Sequence, residues 1–479
     1  MLRPMLKKTL LSLSLALLAA PWTPRTQAAT SAAPGVQVPA HQSVTLPNGM
    51  KLILAPRHEL PLIAFTATLR GGATLDPATH QGVAALTADL LTRGAGSRDA
   101  YAFADAVEGA GASLDADARA EAISVRGQFL ARDRALLVEL LADVLMRPRF
   151  DNEELEKLRS RRIEMIKAAK DSSPQSLLGS YGRALLFAGY PYANPSGGSE
   201  KGLATVDRAA VLDFYRQQFG ADRTTLTLVG DFDPAQMQKD IKRAFGGWQK
   251  AGAKPVALTP TPRIRGRTVL LVDAPGSAQT YFWMANVGVP RRYAERAALD
   301  VVNTEFGGRF TSMLNTELRI KTGLTYGASS RFSRGSVPGE FVVSSFTRTD
   351  DTERAMDLAL ATLGKLHQQG IAADALDSAR SYLVGQYPLG FETNGEWAGA
   401  LADLDFYSLP TTEISNYVAD LGKVDARAAQ AVIADAYADA GNLDIVMIGD
   451  AARIRSVAAK YGKLLEKPLT APDFQPPAR

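Results

Sequence analysis

The sequence predicts an α+β protein made of two similar halves, and three observations predict it. First, segments with period-two alternation come ahead of segments with helical spacing, and that order occurs twice. Second, the stretch 250–267 holds Pro255, Pro260 and Pro262 with few large apolar residues, which marks a linker. Third, Val229-Gly230-Asp231 is echoed by Ile448-Gly449-Asp450, each at the end of a strand-like run. A chain of 479 residues is also too long for one ordinary core. The expected division is a first half over 30–249, the linker over 250–267, a second half over 268–466, and a Pro-rich tail over 467–479 expected to be disordered.

Arg3, Lys7 and Lys8 precede an apolar run from Thr9 to Ala20 that is short for a bilayer span, and small residues follow at Ala28 and Ala29. Residues 1–29 therefore read as a secretory signal peptide. The protein is expected to be exported, to the periplasm, with no membrane span in the mature chain. The chain has 54 Lys+Arg against 50 Asp+Glu, a formal charge of +4. Arg3, Lys7, Lys8 and Arg25 lie in the leader, which holds no acid, so the mature chain is balanced. No nucleic-acid partner is expected from that balance.

In the first half, Ser43 to Ala55 alternates around Pro47-Asn48-Gly49 and predicts a hairpin. Leu62 to Leu69 predicts a strand. Gly82 to Gly94 predicts a buried helix, with Val83, Leu86, Leu90 and Leu91 at helical spacing. Tyr101 to Ala110 predicts a short helix with Ser97 as its cap. Ser113 to Val125 predicts two strands folded about Arg119. Helices are expected from Asp133 to Met146, Asn152 to Lys170, Gln175 to Ala188, Val206 to Phe219 and Pro234 to Phe245, with a strand over Thr224 to Val229.

In the second half, Thr268 to Val272, Gln279 to Asn286, Thr325 to Phe332, Phe341 to Phe346 and Leu443 to Ile448 predict strands. Helices are expected over Tyr293 to Leu314, interrupted at Gly307-Gly308, and over Thr352 to Gln369, Ala373 to Tyr387 and Ala426 to Ala438.

Several chemistries are excluded by composition and spacing. There is no Cys, so thiol nucleophiles and Cys-based zinc sites are absent. The four histidines, His41, His58, His80 and His367, include no pair at i, i+4. Leu178-Gly-Ser-Tyr-Gly182 lacks the first Gly of a nucleophile elbow.

The stretch Gly82-Val-Ala-Ala-Leu-Thr-Ala-Asp-Leu-Leu-Thr-Arg-Gly94 resembles the zinc-site helix of the M16 metallopeptidases, the family of mitochondrial processing peptidase and insulin-degrading enzyme. The supporting pieces are Phe150-Asp-Asn-Glu-Glu-Leu155, Gly189-Tyr-Pro-Tyr192 and the two Gly-Asp strand ends, spread over most of the mature chain. The resemblance implies duplicated M16-type halves of the LuxS and processing-peptidase kind. Active members carry Gly-Leu-x-His-x-x-Glu-His here, with two zinc-binding His and a Glu that activates water. This chain has Ala85, Ala88 and Asp89 instead, and Met165 stands at the spacing of the family's third ligand. Alanine has no lone pair, and a thioether is a poor zinc ligand in such company. The resemblance therefore implies no cofactor on this chain.

A second string, Glu317-Leu-Arg319-Ile-Lys-Thr-Gly323-Leu-Thr-Tyr326, is similar to the family pattern Leu-Arg-x-x-x-Gly-Leu-x-Tyr. There the Arg and Tyr reach the zinc site and donate to a carbonyl of the bound peptide. Taken alone, an Arg near a helix C-terminus answers the helix dipole, and a Tyr in a strand is ordinary core. The full string in register assigns Arg319 and Tyr326 to substrate binding. Phe310, Met313, Leu314 and Leu318 are expected as the buried stripe beneath them, and Gly323 as a left-handed helix stop. In two-chain members one subunit keeps the zinc motif and the other this pair. The resemblance thus implies a non-catalytic, peptide-binding subunit whose H-x-x-E-H-bearing partner holds the zinc. The other reading is a structural or binding pseudopeptidase with no proteolytic role.

Overall fold

Two six-stranded sheets organise residues 35–478, the part of the chain described in the computed structural model. The signal peptide expected over 1–29 lies outside the described residues. The first sheet takes β1 (Gln42–Thr45), β2 (Lys51–Pro56), β3 (Leu62–Arg70), β4 (Ser113–Ala118), β5 (Ala122–Leu130) and β6 (Thr224–Gly230), in the order β1-β2-β6-β3-β5-β4. The second takes β7 (Arg267–Asp273), β8 (Gln279–Val287), β9 (Ala328–Arg334), β10 (Pro338–Arg348), β11 (Leu443–Gly449) and β12 (Lys463–Pro468), in the order β9-β10-β8-β11-β7-β12.

Read from β2 and from β7, the orders are the same: β2-β6-β3-β5-β4 matches β7-β11-β8-β10-β9. In each sheet the strand that ends in Gly-Asp runs parallel to one neighbour, β6 to β2 and β11 to β7, while the rest of this core is antiparallel. The duplication legible in Val229-Gly230-Asp231 and Ile448-Gly449-Asp450 is therefore a repeat of topology. The fold is α+β, as predicted.

One face of each sheet packs on helices of its own half. Leu52, Leu54, Phe65, Val125 and Leu228 meet the helices Val83–Leu91, Arg134–Met146 and Pro234–Phe245. Val269, Phe282, Phe341 and Met447 meet Arg296–Asn303, Thr352–Gln369 and Ala426–Ala436. The opposite faces are covered crosswise. Helix Asn394–Phe406, from the second half of the sequence, lays Trp397, Ala398, Leu401 and Leu404 on Ile53, Ala55 and Val229 of the first sheet. Helix Leu178–Leu186, from the first half, lays Leu178, Tyr181 and Leu185 on Leu270, Val272, Trp283 and Ile448 of the second. Gly182 makes that approach possible: a Cβ there would lie 2.6 Å from the Trp283 indole. Polar contacts register the first helix. Asp405 pairs with Lys51 and accepts from the Thr225 hydroxyl at 2.7 Å, and Asn394 Nδ2 donates to the Leu62 carbonyl at 3.3 Å.

Three expectations change. The tail over 467–479 is not loose: Lys467 and Pro468 end β12, the Leu469 amide donates to the Asp273 carbonyl at 2.9 Å, and Phe474 is 4% exposed. Phe474 stands edge-on to Tyr181 with ring centroids 5.0 Å apart. The prolines forbid a helix there but not burial of Leu469 and Phe474. The cap of helix Ala100–Gly109 is Asp99, whose carboxylate accepts from the Ala102 amide at 2.8 Å, and not Ser97. The helix expected from Tyr293 to Leu314 is Arg296–Asn303 followed by a π-helical turn, Thr304–Gly308. Among the described residues no helix is long and apolar enough to cross a membrane.

Because Trp397 is 4% exposed against β2 and β6, Trp397→Ala is expected to cost about 3–5 kcal/mol. A urea midpoint within experimental error of the parent chain would show that this helix is not a cover for the first sheet.

Candidate functional site

The helix Val83–Leu91 is set by a carboxylate from outside it. Asp76, 6% exposed, accepts from the Gly82 and Ala84 amides at 2.6 and 3.0 Å and so caps amides that the helix leaves without partners. The Asn194 side-chain amide holds the same loop from the other side, donating to the Ala73 and Asp76 carbonyls at 2.9 and 3.1 Å. The N-terminus of the helix is thereby fixed against the loop that precedes it.

Its chemistry is gone. Ala85 and Ala88 are 2% and 0% exposed and fill core space. Asp89, one turn on from Ala85, is held by Arg162 from helix Asn152–Ser172: Nε to Oδ2 at 2.6 Å and Nη2 to Oδ1 at 2.9 Å. Both carboxylate oxygens face a guanidinium fork, a bidentate pair. Met165 is 61% exposed on the same helix, one turn beyond Arg161. Among the described residues no three His, Asp or Glu side chains gather in a way that could hold a metal ion. These residues do not fit zinc: two positions have no donor atom, the third is bonded to a cation, and the fourth is a thioether facing solvent.

What remains is a cleft of about 510 Å³ between this helix, helix Asn152–Ser172 and strand β4. Asp89, Arg93, Asp115, Arg161, Arg162 and Met165 line it. A second cavity, about 400 Å³, lies where the β4–β5 and β9–β10 turns meet. Around it, Glu121 accepts from the Tyr192 hydroxyl and from the Ser336 amide at 2.8 Å, Arg183 lies 3.7 Å from Glu340, and Arg334 meets Asp300 at 3.2 Å. That cavity joins the halves.

Arg319 and Tyr326 are brought together as a stack. The Arg319 guanidinium carbon lies 4.4 Å from the Tyr326 ring centroid and 4.6 Å from that of Phe310. Tyr326 is 76% exposed and Phe310 58%. Arg319 sits in a π-helical turn, Thr316–Lys321, whose inner side chain, Leu318, is fully buried. Gly323 ends the turn at φ +63° with its amide on the Arg319 carbonyl at 3.0 Å, and the Leu324 amide returns to the Leu318 carbonyl at 2.9 Å. Tyr326 therefore falls in the loop just before β9, beside the guanidinium, and not in the strand.

Phe310 was expected in the buried stripe. The chain is irregular between Gly308 and Met313, so Phe310 is out of register with Leu314 and Leu318 and swings out onto Arg319. Two rings against the guanidinium leave its edge, where the N–H groups point, for a ligand. No side chain or carbonyl among the described residues accepts from that edge within hydrogen-bond distance. Sequence reasoning also missed Arg162. Nothing local marks it, since its partner is a distant residue on another helix.

Residues 66–196 match the family model described as insulinase, peptidase family M16, and residues 205–383 match that of the peptidase M16 inactive domain. An uncharacterized zinc protease of Mycobacterium tuberculosis is 26% identical over 354 residues, 74% of this chain and 81% of that one. A Helicobacter pylori protein named as a non-peptidase homolog is 24% identical over 363 residues, 75% of this chain and 83% of that one. Among solved structures, a peptidase M16 inactive domain from Pseudomonas fluorescens has a TM-score of 0.80 at 23% identity, over 86% of this chain and 98% of that one. A protease from Helicobacter pylori has a TM-score of 0.79 at 18% identity, over 86% and 100%.

Burial pushes the Asp76 carboxyl up from 3.8 to about 7, against two N–H bonds that favour the ion. Its folded value lies above its unfolded one, so its stabilisation is complete below pH 3.8 and is lost as pH rises through about 7. Asp76→Asn is expected to remove that slope. Between about pH 4 and about pH 8 the parent chain should lose about 2–4 kcal/mol more than the variant, read from urea midpoints. Parallel pH profiles would contradict the assignment.

Proposed function

The chain belongs to the M16 metallopeptidase family as a non-catalytic member, and from that premise we propose that it is the peptide-binding, non-metal subunit of an exported two-chain zinc peptidase. The observation that carries this reading is the exposed stack of Phe310, Arg319 and Tyr326. A fold kept only as scaffold has no use for a guanidinium packed against two solvent-facing rings with its donor edge open. A fork of N–H groups beside a phenolic hydroxyl is suited to a peptide carbonyl that gains negative charge when water adds to it. Metal and base must then come from a partner with the H-x-x-E-H motif, because Asp89 is already bonded to Arg162 and Ala85 and Ala88 offer nothing.

In this division of labour the second half of the chain faces the partner's metal site and holds extended peptide there. The pair contributes position and charge stabilisation.

The isolated chain is expected to bind no stoichiometric zinc and to hydrolyse no peptide. Mixing it with an exported H-x-x-E-H partner from the same host should give chelator-sensitive peptidase activity. In that complex Arg319→Ala should lower kcat by about 10²-fold, the usual effect of removing one donor aimed at developing charge. If the mutant complex turns over like the parent, the pair has no role in the reaction and the scaffold reading takes its place.

A further inference from the structure

We propose that the cavity where the β4–β5 and β9–β10 turns meet binds a small zwitterion with a free ammonium and a free carboxylate, an amino acid or a dipeptide. The proposal uses neither the Arg319 stack nor the helix Val83–Leu91, and it stands apart from the peptidase reading.

Three observations converge on this cavity of about 400 Å³. The first is charge. Most charged groups of the lining have a bonded counter-charge: Arg119 and Arg126 meet Asp117, Arg334 meets Asp300, and Asp403 meets Arg291. Two groups keep unused capacity. Glu121 has no cation within ion-pair distance among the described residues, and both of its donors, the Tyr192 hydroxyl and the Ser336 amide, fall on Oε1. Its Oε2 is left without a donor. The Arg183 guanidinium makes no hydrogen bond among the described residues. Its neighbouring carboxylate, Glu340, stands 3.7 Å away and already accepts from the Ser333 hydroxyl at 3.0 Å.

The second observation is a row of hydroxyls. Thr66 and Thr68 lie two apart on β3, and Ser124 on β5 is the register partner of Thr68, so the three share one face of the first sheet. Elsewhere that face carries Ile53, Ala55 and Val229 beneath helix Asn394–Phe406. At the cavity it turns polar. None of the three hydroxyls meets a partner among the described residues, and Thr68 is 8% exposed. A buried hydroxyl without a partner is a group for a ligand or water to satisfy.

The third observation is room. Gly395, Gly399 and Ala402 line the cavity at helical spacing, on the side of their helix away from Trp397 and Leu401. A Cβ on Gly399 would meet nothing within 4 Å. No neighbour demands glycine there, although glycine weakens a helix interior; the space in front of it is open.

Together these select the ligand. A carboxylate oxygen without a donor asks for an ammonium, and a fork of N–H groups asks for a carboxylate. The other charges are paired, so a ligand with one charge alone would leave Glu121 or Arg183 unmet. The hydroxyls can serve the polar atoms between the two ends. The volume sits near the lower end of ligand pockets, about 300–1,000 Å³, which suits a small molecule.

The test is isothermal titration calorimetry on the purified mature chain with L-alanine and with L-alanyl-L-alanine, each also in its N-acetyl and its amide form. At least one of the two zwitterions is expected to give a saturable heat, and the tighter of them identifies the occupant. Blocking either end is expected to weaken binding about tenfold, the usual effect of losing one charge-assisted hydrogen bond. Glu121→Gln keeps an oxygen for the Ser336 amide; it should remove the penalty of acetylation and keep that of amidation. Arg183→Gln should do the reverse. Gly399→Leu should fill the space and abolish binding, with a thermal midpoint no lower than the parent's, since Leu is the better helix former. If that midpoint falls, the two end-specific variants decide. Absence of saturable heat with both zwitterions, equal binding of free and blocked forms, or a Gly399→Leu chain that melts like the parent and still binds overturns the proposal.

Discussion

Each sheet of this protein has two apolar faces, and neither half of the chain owns enough helix to cover both. Buried residues run consecutively along β2, β6, β8 and β11, as they must in strands packed on two sides. The missing cover is supplied crosswise, by Asn394–Phe406 on the first sheet and Leu178–Leu186 on the second. That exchange brings the β4–β5 and β9–β10 turns together through Glu121, Tyr192 and Ser336, and it fixes where the helix Val83–Leu91 and the stack at Arg319 sit in one unit.

The fold around this helix holds together without a metal ion. The helix Val83–Leu91 is held by its apolar side chains and by Asp76, not by a metal. Ala85 and Ala88 pack as small core residues, and the Asp89–Arg162 pair ties two helices together. A charge pair of this kind with both oxygens bonded satisfies its own desolvation better than a lone carboxylate would.

Much of this was legible along the chain. Period-two runs ending in Gly-Asp located the repeated strands, because alternation and turn residues are local signals. The string from Leu318 to Tyr326 located the Arg–Tyr pair. What was not legible depends on distant partners. Helix Asn394–Phe406 has weak apolar contrast, with Gly395 and Gly399 in its span, and only its capping box, Thr393 with Glu396, announces it. Which sheet it covers is a long-range fact. Phe310 left the expected stripe because an irregular turn shifted its register. Phe474 is buried because Tyr181, far back in the sequence, receives it.

The crosswise covers also order events in time. A chain made from its N-terminus cannot close the outer face of its first sheet until Trp397 has emerged, and cannot finish the second until β12 and Phe474 have followed. Until the helix that carries Trp397 has left the ribosome, the first sheet keeps one greasy side open, a state that holdase chaperones recognise.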